Sequence, residues 1–203
     1  YCDYDTKAKK YNYVTDESLD TSKYPICNIA SGITDPKETT STTSTTTKKA
    51  DLACTFNGEL MQGSEYTYGP YTYRYKQEGS SSSSGLGWQN ITTDGWGVQL
   101  TDKTSTDAVN SEVCTYINNK PIVSMSYTFS GSQATSIDLS SFDTSNVTDM
   151  SYMFAGSQAT TLDLSSFNTS NVTSMCGMFD GSKATTLDLS NFGTSNVINM
   201  FGM

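Results

Sequence analysis

Three aspartates, Asp138, Asp163 and Asp188, recur 25 residues apart. Each sits between two aliphatic residues, in Ile137-Asp138-Leu139, Leu162-Asp163-Leu164 and Leu187-Asp188-Leu189. Alternation of apolar, polar and apolar residues is the period of a strand with one buried face. Stacked units would set neighbouring strands about 4.8 Å apart, so the three carboxylates would stand in a row on the exposed side. Like charges at that spacing raise one another's pKa or attract a cation. The functional reading of the row is a weak Ca²⁺ site or a docking face for a basic partner, and no cofactor or metal ligand is assigned. The competing reading is a solvated acidic face, since residues 126–203 carry six Asp against one Lys. Hydroxyl columns flank the row, with Ser136, Thr161 and Thr186 on one side and Ser140, Ser165 and Ser190 on the other. Such a face suits hydrogen bonding to a sugar or a protein.

A second surface candidate is aromatic. Tyr66, Tyr68, Tyr71, Tyr73 and Tyr75 form a row, with Trp88 and Trp96 further along. Flat rings stack on sugars and anchor protein interfaces, and Tyr73 and Trp96 are the residues singled out for that role. In so small a unit, about half of these rings must instead supply the core.

Catalysis finds little to work with. The chain has no histidine, which excludes the Ser/His and Cys/His nucleophile arrangements and the usual catalytic zinc sets. Carboxylates, Lys and Tyr remain, and no nucleophile, base and orienting group fall into a set, so no catalytic residue is assigned and the protein reads as a non-enzyme. With 12 Lys and Arg against 21 Asp and Glu, the net charge of −9 repels a phosphate backbone and argues against a nucleic-acid partner. Cys2, Cys27, Cys54 and Cys114 are candidates for two disulfides. Cys54 and Cys114 bracket one segment, but the sequence leaves the pairing open. Cys176 replaces Ser126 and Ser151 of the neighbouring units and reads as unpaired. Four Asn-X-Ser/Thr triplets, at Asn90, Asn146, Asn168 and Asn171, match the glycosylation pattern and read as coincidence in so Ser/Thr-rich a chain.

The elements that would position these groups follow from pattern. Residues 1–36 are mixed and aromatic, a small N-terminal piece or the end of a preceding domain. Residues 37–49 form a Thr/Ser-rich linker with no apolar side chain to bury. Residues 50–118 read as a β-rich cap or module: Glu65 to Tyr75 alternates aromatic with polar residues around Gly69-Pro70, a hairpin signature. From residue 119 to 203 the chain repeats every 25 residues, with Met125, Met150, Met175 and Met200 marking the period. Apolar offsets of three and seven at Val147, Met150 and Phe154 fit a short helix face, with Ser145 as N-cap and Gly156 as the stop. The expected fold is thus mixed and β-rich. It consists of a C-terminal leucine-rich-repeat-like solenoid, one short parallel strand and one short helix per repeat, behind a small β-rich cap.

Stacking would align equivalent positions into columns. Ile137, Leu162 and Leu187, then Leu139, Leu164 and Leu189, then Phe142, Phe167 and Phe192 are expected to be core. Asn146, Asn171 and Asn196 are expected to form a ladder that bonds backbone groups between coils. The longest apolar runs span only a few residues, so neither a membrane span nor a signal-peptide core is present. The chain begins at Tyr1 and stops at Met203 inside a repeat, which reads as a segment of a longer protein.

The unit LDLSSFxTSNVTxMxxMFxGSxATT resembles the 25-residue repeat of the BspA-type leucine-rich-repeat surface proteins of bacteria, over residues 121–203. The resemblance implies a secreted or cell-surface, extracellular protein that acts in attachment or recognition, with a host or bacterial surface protein or glycan as partner and self-association as a further mode. It brings no catalytic motif with it. The segments GWGVQLTDK and CTYINNKPIVSMSY resemble those that lead into such arrays. The alternative function is a carbohydrate-binding module in the aromatic unit, with the solenoid as spacer.

Overall fold

The alternating tyrosines around Gly69-Pro70 form a hairpin. In the computed structural model, which describes residues 2–5, 10–13, 52–77, 90–110 and 112–203, the chain divides into units Tyr1–Thr46 and Thr47–Met203. The first unit contributes strands β1 (Cys2–Asp5) and β2 (Lys10–Tyr13), an antiparallel pair with Cys2 opposite Tyr13. Cys27, Trp88, the linker at 37–49 and the side chain of Cys2 lie outside the described residues.

The second unit opens with a six-stranded sheet. Its strands are β3 (Ala53–Cys54), β4 (Glu65–Tyr68), β5 (Tyr71–Tyr75), β6 (Trp96–Leu100), β7 (Tyr116–Ile117) and β8 (Lys120–Ser124), in the order β3-β7-β8-β6-β5-β4. Pairs β4/β5, β5/β6 and β7/β8 are antiparallel, while β3/β7 and β6/β8 are parallel. The period-two pattern is realised on β5, where Tyr71, Tyr73 and Tyr75 point inward and Thr72 and Arg74 do not. Strand β6 lies between β5 and β8 and is buried along its whole length. A disulfide joins Cys54 to Cys114 and closes the unit around the sheet.

Beyond β8 the repeats stack in register. Parallel bridges link Ser124 to Asp149, Asp149 to Ser174 and Ser174 to Asn199, each one 25-residue unit apart. The stack starts earlier than the sequence repeat does. Gln133 N–H donates to the Lys103 carbonyl (2.9 Å), Asp138 N–H to that of Val109 (2.8 Å) and Val109 N–H to that of Ser136 (3.0 Å). Residues 101–110 thus form part of an irregular first coil.

The expected strand-plus-helix unit is not what forms. No α-helix occurs among the described residues, and the Ile137-Asp138-Leu139 positions carry isolated bridges rather than a strand ladder. The cause lies in where the backbone donors go. Within Met150–Ser157, the N–H groups of Met153, Ala155 and Ser157 close turns onto carbonyls three residues back. Those of Tyr152, Phe154 and Gly156 donate to Cys176, Met178 and Asp180 of the next coil, at 2.8 Å each. A helix needs every donor for its own i−4 carbonyl, and here every second one belongs to the neighbour. Tyr127 and Tyr152 also sit at φ of 58° and 55°, outside the right-handed helical region. Ser145 therefore caps no helix, and Gly156 ends none. Val147, Met150 and Phe154 are nonetheless fully buried, because a coil of successive turns presents apolar groups at nearly the same offsets.

The core runs unbroken from sheet to coils. Tyr71 meets Phe129 and Phe142 edge-on at ring distances of 6.4 and 6.0 Å, and Phe129, Phe154 and Phe179 stack at 5.6 and 5.7 Å. Burial fades toward the last coil, where Ile198 is 89% and Phe201 83% exposed.

Gly177 occupies the position of Tyr127 and Tyr152, at φ 57°, and a Cβ there would lie 2.4 Å from the Tyr152 ring. That ring is itself stacked on Tyr127 at 5.0 Å and has little room to yield. Gly177→Ala is expected to destabilise the folded chain by about 2 kcal/mol, read as a lower urea midpoint with an unchanged m-value. An unchanged midpoint would show that the tyrosine pair does not hold its position.

Candidate functional site

Each aspartate of the row is folded into its own turn. Ser140 N–H donates to Asp138 Oδ1 (2.9 Å), Ser165 N–H to Asp163 Oδ1 (3.0 Å) and Ser190 N–H to Asp188 Oδ1 (2.9 Å). All three carboxylates are exposed. The Ser165 hydroxyl and amide hold Asp163 below the ordinary carboxylate range, against the opposing effects of desolvation and the Asp138 charge. Ser190 does the same for Asp188. Hydrogen bonding to the charged form outweighs the opposing effects at Asp163 and Asp188, so these two are ionised at neutral pH rather than proton-sharing. Among the described residues no three carboxylate, thiol or imidazole side chains converge on one point. Each carboxylate has one oxygen engaged by its own turn, and the Asp138 charge also acts on the buried Tyr71 hydroxyl.

The neighbouring columns fix this spacing. Thr161 and Thr186, just before Asp163 and Asp188, form a parallel bridge. The flanking Ser136, Ser140, Thr161, Ser165, Thr186 and Ser190 are exposed. Beneath them Leu139 and Leu164 are 2% exposed, and Phe142 and Phe167 are 2% and 3% exposed. Leu189 and Phe192, in the last full coil, are only partly buried. Ile137 and Leu162 are buried, and Leu187 opens to 38%.

The asparagines tie one coil to the next. Asn171 Nδ2 donates to the Ser145 carbonyl (2.7 Å) and Asn196 Nδ2 to that of Ser170 (2.6 Å). Asn146, at the sheet end of the stack, donates instead to the Tyr116 hydroxyl of β7 (3.2 Å).

Tyr73 and Trp96 require a correction. Both are wholly buried, and their polar atoms are engaged inside: the Tyr73 hydroxyl accepts from Cys114 N–H (3.0 Å), and Trp96 Nε1 donates to the Ile117 carbonyl (3.2 Å). Neither has a face to offer a ligand. The sheet is small, and its inward rings are the residues large enough to fill its core. Of the tyrosine row, Tyr68 is the exposed member, at 38%.

Two features escape a reading by pattern. Lys103 is packed under the first repeat, donating from Nζ to the Tyr127 carbonyl (2.6 Å), and burial lowers its pKa to about 8. No motif marks it; only its place before the repeats was visible. Cys176 lies 3.5 Å from the Tyr152 hydroxyl, and this contact is the first of several causes that push that hydroxyl up to about 12. The cysteine forms no disulfide. The signal available here was the exchange of Ser for Cys at a repeating position.

Residues 101–203 match the family model described as Mycoplasma protein of unknown function, DUF285. No curated protein and no solved structure matches the chain.

Lys103 yields a pH dependence. Its folded pKa lies below the unfolded value near 10.5, so between about pH 8 and 10.5 the unfolded chain binds the extra proton. The cost of the desolvated ammonium is fully present below pH 8 and is relieved as pH rises through that window. NMR of reductively methylated lysines is expected to show one amine titrating near 8, missing in Lys103→Gln. A full set titrating together above 10 would contradict the burial argument.

Proposed function

The chain belongs to the DUF285 family, and from that premise we propose that it acts as an extracellular segment of a bacterial surface protein of the BspA type, in attachment or recognition and without catalysis. The observation that carries this reading is the carboxylate row Asp138, Asp163 and Asp188, each accepting from the serine amide two residues on, at one-coil spacing and flanked by hydroxyls. Rigid, evenly spaced carboxylates favour a basic protein surface as partner, because complementary charges on a fixed lattice steer and register an encounter. The Cys54–Cys114 disulfide supports an oxidising compartment. The absence of histidine and the net charge of −9 agree with a binding rather than a catalytic role. The aromatic unit as a sugar-stacking module is the weaker reading, since Tyr73 and Trp96 are interior.

Asparagine preserves the acceptor that each turn requires, so Asp138→Asn, Asp163→Asn and Asp188→Asn together remove three charges and leave the coils intact. Wild-type chain is expected to bind basic members of an immobilised matrix-protein panel in a salt-sensitive way. The triple variant should bind at least tenfold more weakly with an unchanged melting temperature. Equal binding by the two proteins, or no binding by the wild type with and without Ca²⁺, would overturn the proposal.

A further inference from the structure

A groove of about 380 Å³ runs beside the bridge column of the stack, with the 90–93 loop as one wall and the edges of three successive coils as the other. This size falls at the lower end of small-ligand sites. The loop is held in place from several sides. Asp94, directly after it, accepts from Lys120 Nζ (2.5 Å) and the Tyr75 hydroxyl, and pairs with Lys76 at 3.3 Å. Ile91 N–H donates to the Gln77 carbonyl (2.7 Å). Gly95 permits the close approach, since a Cβ there would fall 2.6 Å from a Val123 methyl. The groove is therefore formed before any ligand arrives.

Its chemistry is directional. The Thr148 hydroxyl donates to the Val123 carbonyl (3.2 Å) and the Thr173 hydroxyl to that of Thr148 (3.0 Å). Each has spent its proton on the coil before it and turns only acceptor capacity to a ligand. Asp149 Oδ1 accepts from Ser151 N–H (2.8 Å), which leaves Oδ2 as a further acceptor. Ile91 and Val123, at 6% and 3% exposure, show the groove only the edges of their aliphatic groups.

The coil wall offers acceptors, while Asn90, Thr92 and Thr93 on the loop wall carry groups that both donate and accept. A ligand with several hydroxyls answers both, and the aliphatic edges call for C–H groups on the same molecule. Among the described residues no Lys or Arg lines the groove, so an anion would meet Asp149 without a counter-charge from them. A cation would have a single carboxylate to offset its lost hydration, too little for a desolvated ammonium or divalent ion. The geometry points to a neutral sugar, a hexose unit or the end of a glycan, bound between the 90–93 loop and the coil edges through Asp149, Thr148 and Thr173 with its C–H face on Ile91 and Val123. This site stands apart from the acidic row and does not rest on it.

The test is methyl NMR on the whole chain, titrated with glucose, galactose and N-acetylglucosamine, and separately with sialic acid and putrescine. A neutral sugar is expected to shift the Ile91 and Val123 methyls in a saturable way and leave Ile137, which bridges to Val109 and lines no part of the groove, unmoved. Asp149→Asn keeps the turn acceptor and should weaken that sugar at least fivefold. Thr173→Val, read on the same methyls, should weaken it as well. Saturable shifts with putrescine or sialic acid alone, shifts spread evenly over all methyls, or no shift with any neutral sugar would each overturn the assignment. The acidic-row variant should bind the sugar as wild type does, so the two proposals fail separately.

Discussion

Every second backbone N–H along the Met-x-x-Met-Phe segments donates to the coil that follows, and the remaining architecture depends on that exchange. A chain that turns every few residues leaves many amide groups without partners inside the turn, and buried amides must find them. The next coil supplies carbonyls at a constant offset of 24 residues. Once that offset is fixed, every position of the repeat faces its own equivalent. Phe129, Phe154 and Phe179 then stack, Asn171 and Asn196 reach the preceding carbonyls, and the aspartates take a common spacing. Side-chain columns follow from backbone bookkeeping.

A stack of this kind must begin on something that is not a coil of the same type. The parallel pair β6/β8 serves that purpose. Strand β8 bridges forward to Asp149, while Leu100 N–H donates to the Thr128 carbonyl and the Thr128 hydroxyl to that of Val98. Lys103 adds a donor to the Tyr127 carbonyl. The inward tyrosines of β5 continue the phenylalanine column into the sheet, so cap and stack share one hydrophobic core. This explains why the sheet's inward rings have no role at the surface: withdrawing Tyr71 would remove the ring that Phe129 and Phe142 pack against.

The columns were legible because stacking needs like residues at like positions, and leucines, phenylalanines and asparagines at a fixed period state this directly. The helix was misread because apolar offsets of three and seven suit a helix and a coil of successive turns equally. What separates them is the destination of the N–H groups, which side-chain pattern does not encode. One clue was present. Positions 127, 152, 177 and 202 read Tyr, Tyr, Gly and Gly, and glycine recurring mid-segment marks a positive φ, as all four residues show. The start of the stack at residues 101–110 was hidden because Lys103, Thr106 and Val109 make coil contacts through backbone atoms, with no repeat consensus. The groove was hidden for a related reason: Ile91 and Asp149 are far apart in sequence and meet only when the coils are in register.

Carboxylates at one-coil spacing are a different surface from an acidic tail of equal charge. In a tail, each charge must be ordered when a partner binds, and side-chain and backbone entropy oppose the contact. Here the turn amides hold each carboxylate and the bridges hold the turns, so that ordering is complete before an encounter. Lone exposed ion pairs contribute little, but contacts that form together on a rigid lattice gain from effective concentration, the second following the first at reduced entropic cost. Under the proposed reading, such a surface favours a partner that presents its own charges at a regular spacing. The repeat supplies this regularity without any single residue having to bind strongly.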